Sequence, residues 1–168
     1  NFGIMYGAGP FLMSQELGIP RAESQLIIDR YFERFAGIRD YIDSTVSKAE
    51  TDQYVETMLG RRRPVWNINS DHHMHREAAK RMAINMPIQG TAAEMIKLAM
   101  IRIHESMKSE KMKSKLVLQI HDELLFEASK DELDDLQSMV IEEMEGALKL
   151  DVPVIVDSGV GDSWFEAH

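Results

Sequence analysis

Residues 115–128 read KLVLQIHDELLFEA: two short apolar runs, 116–120 and 124–126, separated by His121, Asp122 and Glu123. Runs of this length, rich in Val, Ile, Leu and Phe, are the pattern of buried or half-buried strands. The polar residues between them then form a tight hairpin turn. Such turns favour Asn-Gly or Asp-Gly, because their backbone often needs a positive φ. His-Asp is a poor choice on those grounds, so an ionisable pair at this turn asks for a reason.

Around this hairpin the pattern is mainly helical. Phe2 and Tyr6 are four apart and share a helix face, which Gly7 and Gly9 end. Pro10 suits the first position of a short helix that runs to Leu17 and closes at Gly18. Pro20 opens another, with Leu26, Ile27, Tyr31 and Phe35 as its apolar stripe before Gly37, and a third helix fits residues 38–51. YVETMLGRRRPV, residues 54–65, reads as a second hairpin with Gly60 in its turn. From Asp71 the pattern is helical to Asn85, and Pro87 is expected to kink or break it. A long amphipathic helix over 91–108 follows. After the 115–128 hairpin come a helix over 131–148 and a strand over 152–156. No repeat, low-complexity tract or linker interrupts the chain, which reads as one mostly helical α+β unit.

The 168 residues suffice for one domain, or for a piece of something larger. Asn1 opens the chain with no initiator methionine, as if it were cut in mid-element. Nineteen basic against 28 acidic residues leave a net charge of −9, which repels phosphate at long range. The charge is uneven. Residues 61–81 hold six basic and two acidic residues, a local +4 that leaves −13 on the rest. A basic segment on an acidic chain points to a polyanion more specifically than the total does. Without cysteine there is neither disulfide nor thiolate metal site, in keeping with a reducing, cytoplasmic setting. No apolar stretch has the length of a membrane span, and the first residues do not form a signal peptide.

Three groups of residues are candidates for chemistry. Asp122 and Glu123 are adjacent carboxylates, but neighbouring side chains on a strand point to opposite faces. One carboxylate alone is a weak magnesium site, and a solvated turn explains the same residues. Arg81, Asn85 and Gln89 recur every four residues, so a helix aligns three long hydrogen-bonding side chains. Such a row can read base edges or phosphates, or form an exposed polar stripe. The histidines of HHMH (His72, His73, His75) lack a partner at ligand-like spacing and read as exposed. Phe2 and Tyr6 would ordinarily be core aromatics.

The order of the motifs is more specific than any one of them. NFGIMYG, YVETMLGRRR, RMAINMPIQGTAAEMIK, QIHDELLFE and SGVGDSWFEAH follow one another over essentially all 168 residues. This arrangement resembles the C-terminal part of family A DNA polymerases, the bacterial DNA polymerase I type. The resemblance implies an α+β fold in which a mostly helical fingers portion, residues 1–53, packs with part of an antiparallel palm sheet, residues 54–168. It implies primer-template DNA and deoxynucleoside triphosphates as partners and Mg2+ as cofactor. In it, Phe2 packs on the nucleotide sugar and Tyr6 lies beside the templating base. Arg81, Asn85 and Gln89 become minor-groove and backbone contacts. The minor groove offers acceptors at equivalent places in every base pair, so donors there test pair shape without reading sequence.

The His-Asp turn then resembles the family's palm hairpin. Asp122 would hold catalytic magnesium, His121 would lie near the primer terminus, and Glu123 would be an accessory carboxylate. Glycine would be easier for the backbone but cannot bind a metal. The implied reaction is two-metal transfer of a nucleotide to the primer 3′-hydroxyl with release of pyrophosphate. In the family a second metal-binding aspartate, and the arginine and lysine that hold the triphosphate, lie upstream of the matched segment. The expectation is therefore a fragment of a polymerase, inactive alone, whose exposed sheet edge leaves its oligomeric state open. Two other functions suit the same residues: a non-catalytic nucleic-acid clamp built on residues 61–81, and a magnesium hydrolase centred on His121, Asp122 and Glu123.

Overall fold

The computed structural model describes residues 2–5, 7 and 9–167, with the side chains of Phe2 and Met5 left aside. The fold is α+β, with seven helices and two separate two-stranded antiparallel sheets among these residues. The chain divides into two compact units, Asn1–Thr91 and Ala92–His168. Among the described residues no helix is long and apolar enough to cross a membrane.

In the first unit, α1 (Phe2–Met5) precedes α2 (Pro10–Leu17), which closes at Gly18 in the left-handed conformation, φ 66°. Proline at a first helical position and glycine after the last one meet the separate needs of the two helix ends. α3 spans Arg21–Arg34 and buries Ser24 and Ile28, with Tyr31 and Phe32 half-buried. The expected stripe of Leu26, Ile27, Tyr31 and Phe35 is thus turned by about one residue; Leu26 and Phe35 are 58% and 48% exposed. Ser24 explains the shift. Its hydroxyl donates to the Pro20 carbonyl (3.4 Å), so a polar residue can sit on the buried face.

α4 (Ala36–Asp52) packs Ala49 into a core with Val55, Val65, Ile68, Ala79, Ala83 and Met86. β1 (Tyr54–Glu56) and β2 (Arg62–Pro64) form the expected hairpin, with Gly60 at φ 82° in its turn. The turn is closed from inside by Thr57, whose Oγ1 accepts from the Arg61 amide at 3.1 Å.

α5 runs without a break from His73 to Ser109, through Pro87. The expected interruption at Pro87 is therefore not found, and the expected start at Asp71 falls two residues later. Proline inside a helix costs roughly 3 kcal/mol. Burial on both sides outweighs that: Ala79, Ala83, Ile84 and Met86 precede Pro87, and Thr91, Ala99, Ile103 and Met107 follow it. Thr91 Oγ1 donates to the Pro87 carbonyl (2.6 Å) and accepts from the Met58 amide (3.0 Å), which fastens the hairpin turn to the helix.

Gly90 faces that turn. A Cβ added there would lie 2.6 Å from Thr57 Cγ2, and Thr57 is only 4% exposed. Glycine to alanine in a helix ordinarily stabilises by about 1 kcal/mol. Here Thr57 is held by its bond to Arg61, so overpacking dominates. Gly90→Ala is expected to destabilise the chain by about 1–3 kcal/mol, read as a lower urea midpoint; an unchanged or higher midpoint would show that Thr57 gives way freely.

In the second unit, the C-terminal part of α5 meets α6 (Leu133–Glu145) around Ala99, Ile103, Met107, Leu136 and Ala147. α6 is shorter at both ends than the expected 131–148. β3 (Lys115–Ile120) and β4 (Glu123–Glu127) pair antiparallel. The register slips between Leu116, which faces Phe126, and Leu118, which faces Leu125, so Val117 is an extra residue in a bulge. Both Val117 and Leu118 are exposed as a result, at 58% and 48%. Leu116, Ile120, Leu124, Leu125 and Phe126 are half-buried, so these strands are less covered than their composition implies.

Residues 152–156, expected as a strand, have no ladder among the described residues. Their segment is tied to α6 instead: the Val156 amide donates to Glu145 Oε1 (3.1 Å), and Gln137 Nε2 donates to Ser158 Oγ (2.7 Å). Composition alone does not make a β-branched run a strand; it becomes one only by pairing with a neighbour. α7 (Trp164–Ala167) ends the described chain.

Just before α6, Glu132 accepts from the Lys113 and Ser114 amides and from the Ser114 hydroxyl, at 2.7–2.9 Å. These bonds favour the charged form and hold its carboxyl below the usual range. The Lys113 ammonium beside Asp131, with a further bond from Ser129, lowers the Asp131 carboxyl to about 2. Both groups have depressed values, so their contribution is present above the ordinary carboxylate range and is lost as pH falls through the folded values. Urea midpoints should therefore decline as pH falls from about 4.5 toward 2. Glu132→Gln should flatten the upper part of that decline; an identical pH profile in the variant would remove Glu132 from the account.

Candidate active-site hairpin and basic helix

The pairing of Ile120 with Glu123 leaves a two-residue turn, His121-Asp122, at the tip of the β3–β4 hairpin. His121 has φ 54°, one of three positive values among the described non-glycine residues. This is the left-handed conformation that glycine would adopt without steric cost, and a side chain there costs roughly 1–2 kcal/mol. Gln119 offsets part of that: its Nε2 donates to the His121 carbonyl at 2.9 Å and braces the turn from β3. No sequence motif singles out Gln119. Its signal was a lone amide in an apolar strand, two residues before the turn.

His121, Asp122 and Glu123 are all exposed. Asp122 belongs to the turn, so strand alternation does not by itself set its direction; Glu123 begins β4. Among the described residues no hydrogen bond or ion pair engages the Asp122 carboxylate, which leaves its oxygens available as hard donors. The described residues contain no group of three His, Cys, Asp or Glu arranged to hold a metal ion. Magnesium usually takes one or two protein carboxylates, with water and substrate phosphate completing its shell. Asp122 fits the share of such a site that one carboxylate supplies.

The other candidate residues lie on α5, in the first unit. Arg81 and Gln89 are exposed and Asn85 is half-buried, in one row because the helix is unbroken across Pro87. Asn85 Oδ1 is shielded from solvent and has no hydrogen-bond partner among the described residues. Gly7 comes close to the stem of Arg81: a Cβ at Gly7 would lie 3.3 Å from Arg81 Cγ. Tyr6 lies outside the described residues, as does the side chain of Phe2, so neither expected nucleotide contact is described.

The positive charge of residues 61–81 is partly engaged. Arg62 pairs with Glu56 (3.1 Å) while lying over the Tyr54 ring (4.5 Å), and Lys80 pairs with Glu77 (3.4 Å). The Arg62 bond, with Lys48, holds the Glu56 carboxyl below its usual range. Arg76 donates to the Ser70 carbonyl at 2.9 Å. Arg63 and Arg81 are exposed and have no carboxylate partner among the described residues. His72, His73 and His75 are exposed, the first and last with rings stacked at 4.4 Å.

The candidate features are thus a row of hydrogen-bonding side chains on α5 in the first unit and an acidic hairpin tip in the second. Residues 1–166 match the model of DNA polymerase family A, and the chain belongs to that family. It is 46% identical over 167 residues to DNA polymerase I of Bacillus subtilis and 45% identical to the thermostable DNA polymerase I of Thermus filiformis, covering 99% of this chain in both cases. The chain spans only 19% and 20% of the length of those two relatives. The polymerase domain of Pol1 from M. smegmatis, solved in complex with DNA primer-template and dNTP, superposes with a TM-score of 0.96 at 43% identity. That match covers 99% of this chain and 29% of the solved one. Polymerases of this family use divalent metal ions.

Proposed function

We propose that this chain forms part of the fingers (residues 1–53) and part of the palm (residues 54–168) of a DNA-directed DNA polymerase. That polymerase transfers deoxynucleotides from dNTPs to a primer 3′-hydroxyl under the direction of a template. The observation that carries this reading is Asp122, a carboxylate with no described partner at the tip of a braced hairpin, in a chain that matches the family from end to end. Asp122 would hold Mg2+, whose chemistry is to neutralise phosphate charge and lower the pKa of the attacking hydroxyl. His121 fixes the turn and lies toward the primer terminus, and Glu123 supports the site's negative charge from the start of β4. Arg81, Asn85 and Gln89 present donors to the minor groove and backbone of the primer-template duplex. Phe2 packs on the sugar of the incoming nucleotide, and Tyr6 stands beside the templating base.

The chain alone supplies one such carboxylate, so it is not expected to extend a primer. The test is a chimera in which residues 1–166 replace the matching segment of the B. subtilis enzyme. The chimera is expected to extend a primer, and the isolated chain to bind duplex weakly, with affinity falling steeply as salt rises. A chimera that melts cooperatively and binds duplex yet fails to extend would favour a non-catalytic nucleic-acid clamp.

A further inference from the structure

The net charge of −9 resides wholly in the second unit: Ala92–His168 holds eight basic and 17 acidic residues, whereas Asn1–Thr91 holds 11 of each. Half of those eight cations nevertheless fall within residues 108–115: Lys108, Lys111, Lys113 and Lys115, against Glu110 alone. The way α5 ends concentrates them. After Ser109 the chain reverses through Lys111 at φ 58°, the Met112 amide donating to the Met107 carbonyl (2.9 Å) and the Lys111 amide to that of Lys108 (3.3 Å). Glycine commonly fills the left-handed position of such a closure, because a side chain costs roughly 1–2 kcal/mol there. Here it is lysine.

The reversal folds Met112 back toward the core that contains Met107, the apolar contact that accompanies this kind of helix end. Beside it lies a groove of about 390 Å³ between the end of α5 and the start of β3. Met107, Met112 and Leu116 give it an apolar floor, and the exposed His104, Lys108 and Lys115 give it a basic rim. Lys113 is engaged by Asp131 at 2.8 Å. Lys108, Lys111 and Lys115 have no carboxylate partner among the described residues.

We infer that this groove docks an acidic peptide segment of a partner protein, with one apolar side chain on the methionine floor and flanking carboxylates at Lys108 and Lys115. Charge complementarity selects the class of occupant: on a unit of net charge −9 this rim is a local positive site, so an acidic segment is attracted here and repelled elsewhere. The floor narrows it further. A bare polyanion has no use for an apolar surface, whereas methionine adapts its shape to a variety of apolar side chains.

The probe is a fluorescein-labelled peptide of nine residues that alternates Glu and Asp with Leu and Phe, read by anisotropy against the chain and against the chimeric polymerase. Saturable binding to both is expected, weakened about tenfold or more by Lys108→Glu with Lys115→Glu. Lys97→Glu with Lys149→Glu, the same charge change elsewhere in the unit, should weaken it much less. Met112→Ser should weaken it without altering the salt dependence. Circular dichroism checks the fold of each variant, and Lys→Ala replaces Lys→Glu wherever reversal unfolds the chain. Oligoglutamate of equal charge binding as well as the peptide would overturn the inference. So would displacement of the peptide from the groove by a short DNA duplex, equal loss in the two charge-reversed pairs, or binding to the isolated chain but not to the chimera. The last result would mean that the polymerase itself covers the groove.

Discussion

Asp122→Asn, placed in the chimeric polymerase, is expected to lower single-turnover incorporation on the order of 10³-fold or more while leaving the melting temperature within error. The substitution keeps the size of the side chain and removes the charge that the proposed metal site needs. Folding should not notice it, because Asp122 is exposed at the tip of the turn and forms no described hydrogen bond or ion pair. Duplex affinity should also survive, since Arg81, Asn85 and Gln89 are untouched. Glu123→Gln, one residue further into β4, should reduce incorporation far less. Measuring melting, duplex binding and incorporation together separates the alternatives. Near-normal incorporation in Asp122→Asn would make Asp122 an ordinary turn residue. A greater loss in Glu123→Gln would exchange the roles of the two carboxylates.

The largest expected loss of stability comes from Ile103→Ala. Ile103 is fully buried on α5, within the cluster that holds the second unit together. Cutting it to alanine removes apolar contact and leaves a cavity beside Ala99 and Ala147, neither of which has side chain to spare. A loss of about 2–5 kcal/mol is expected. Urea unfolding followed by Trp164 fluorescence, in a background where Trp66 is replaced by Phe, reports on this unit. A loss below about 1 kcal/mol would show that Met107 and the half-buried methionines Met112, Met139 and Met144 refill the space.

What could be read from the sequence was what local chemistry decides. Pro10 and Gly18 bracket α2 because each suits one end of a helix, and Gly60 sits in a turn that needs a positive φ. The β3–β4 hairpin follows from two apolar runs too short for helices, with His121 and Asp122 as the polar pair between them. Features that depend on distant neighbours were misread. Pro87 breaks a helix in isolation, but not one whose burial continues on both sides. Residues 152–156 have the composition of a strand but pair with no other strand among the described residues. The buried face of α3 is a local exception: Ser24 sits inside with its hydroxyl bonded to the Pro20 carbonyl, a bond that hydrophobic periodicity does not count. At the site the same division holds. Asp122 was legible at its turn, while the brace from Gln119 and the lysine-lined end of α5 were not, since each depends on a left-handed residue where glycine would be sought.

The bulge at Val117 bears on how the protein behaves at high concentration. A regular strand exposing adjacent Val and Leu beside an open edge is a template on which other chains can stack. The inserted residue puts the amides and carbonyls of Lys115 and Leu116 out of step with those of Leu118 to Ile120. A strand approaching from another molecule can match one short stretch or the other, but not both. Neither is long enough to seed a cross-β stack, so the residue that exposes the most apolar part of β3 also keeps that edge from growing into a fibril.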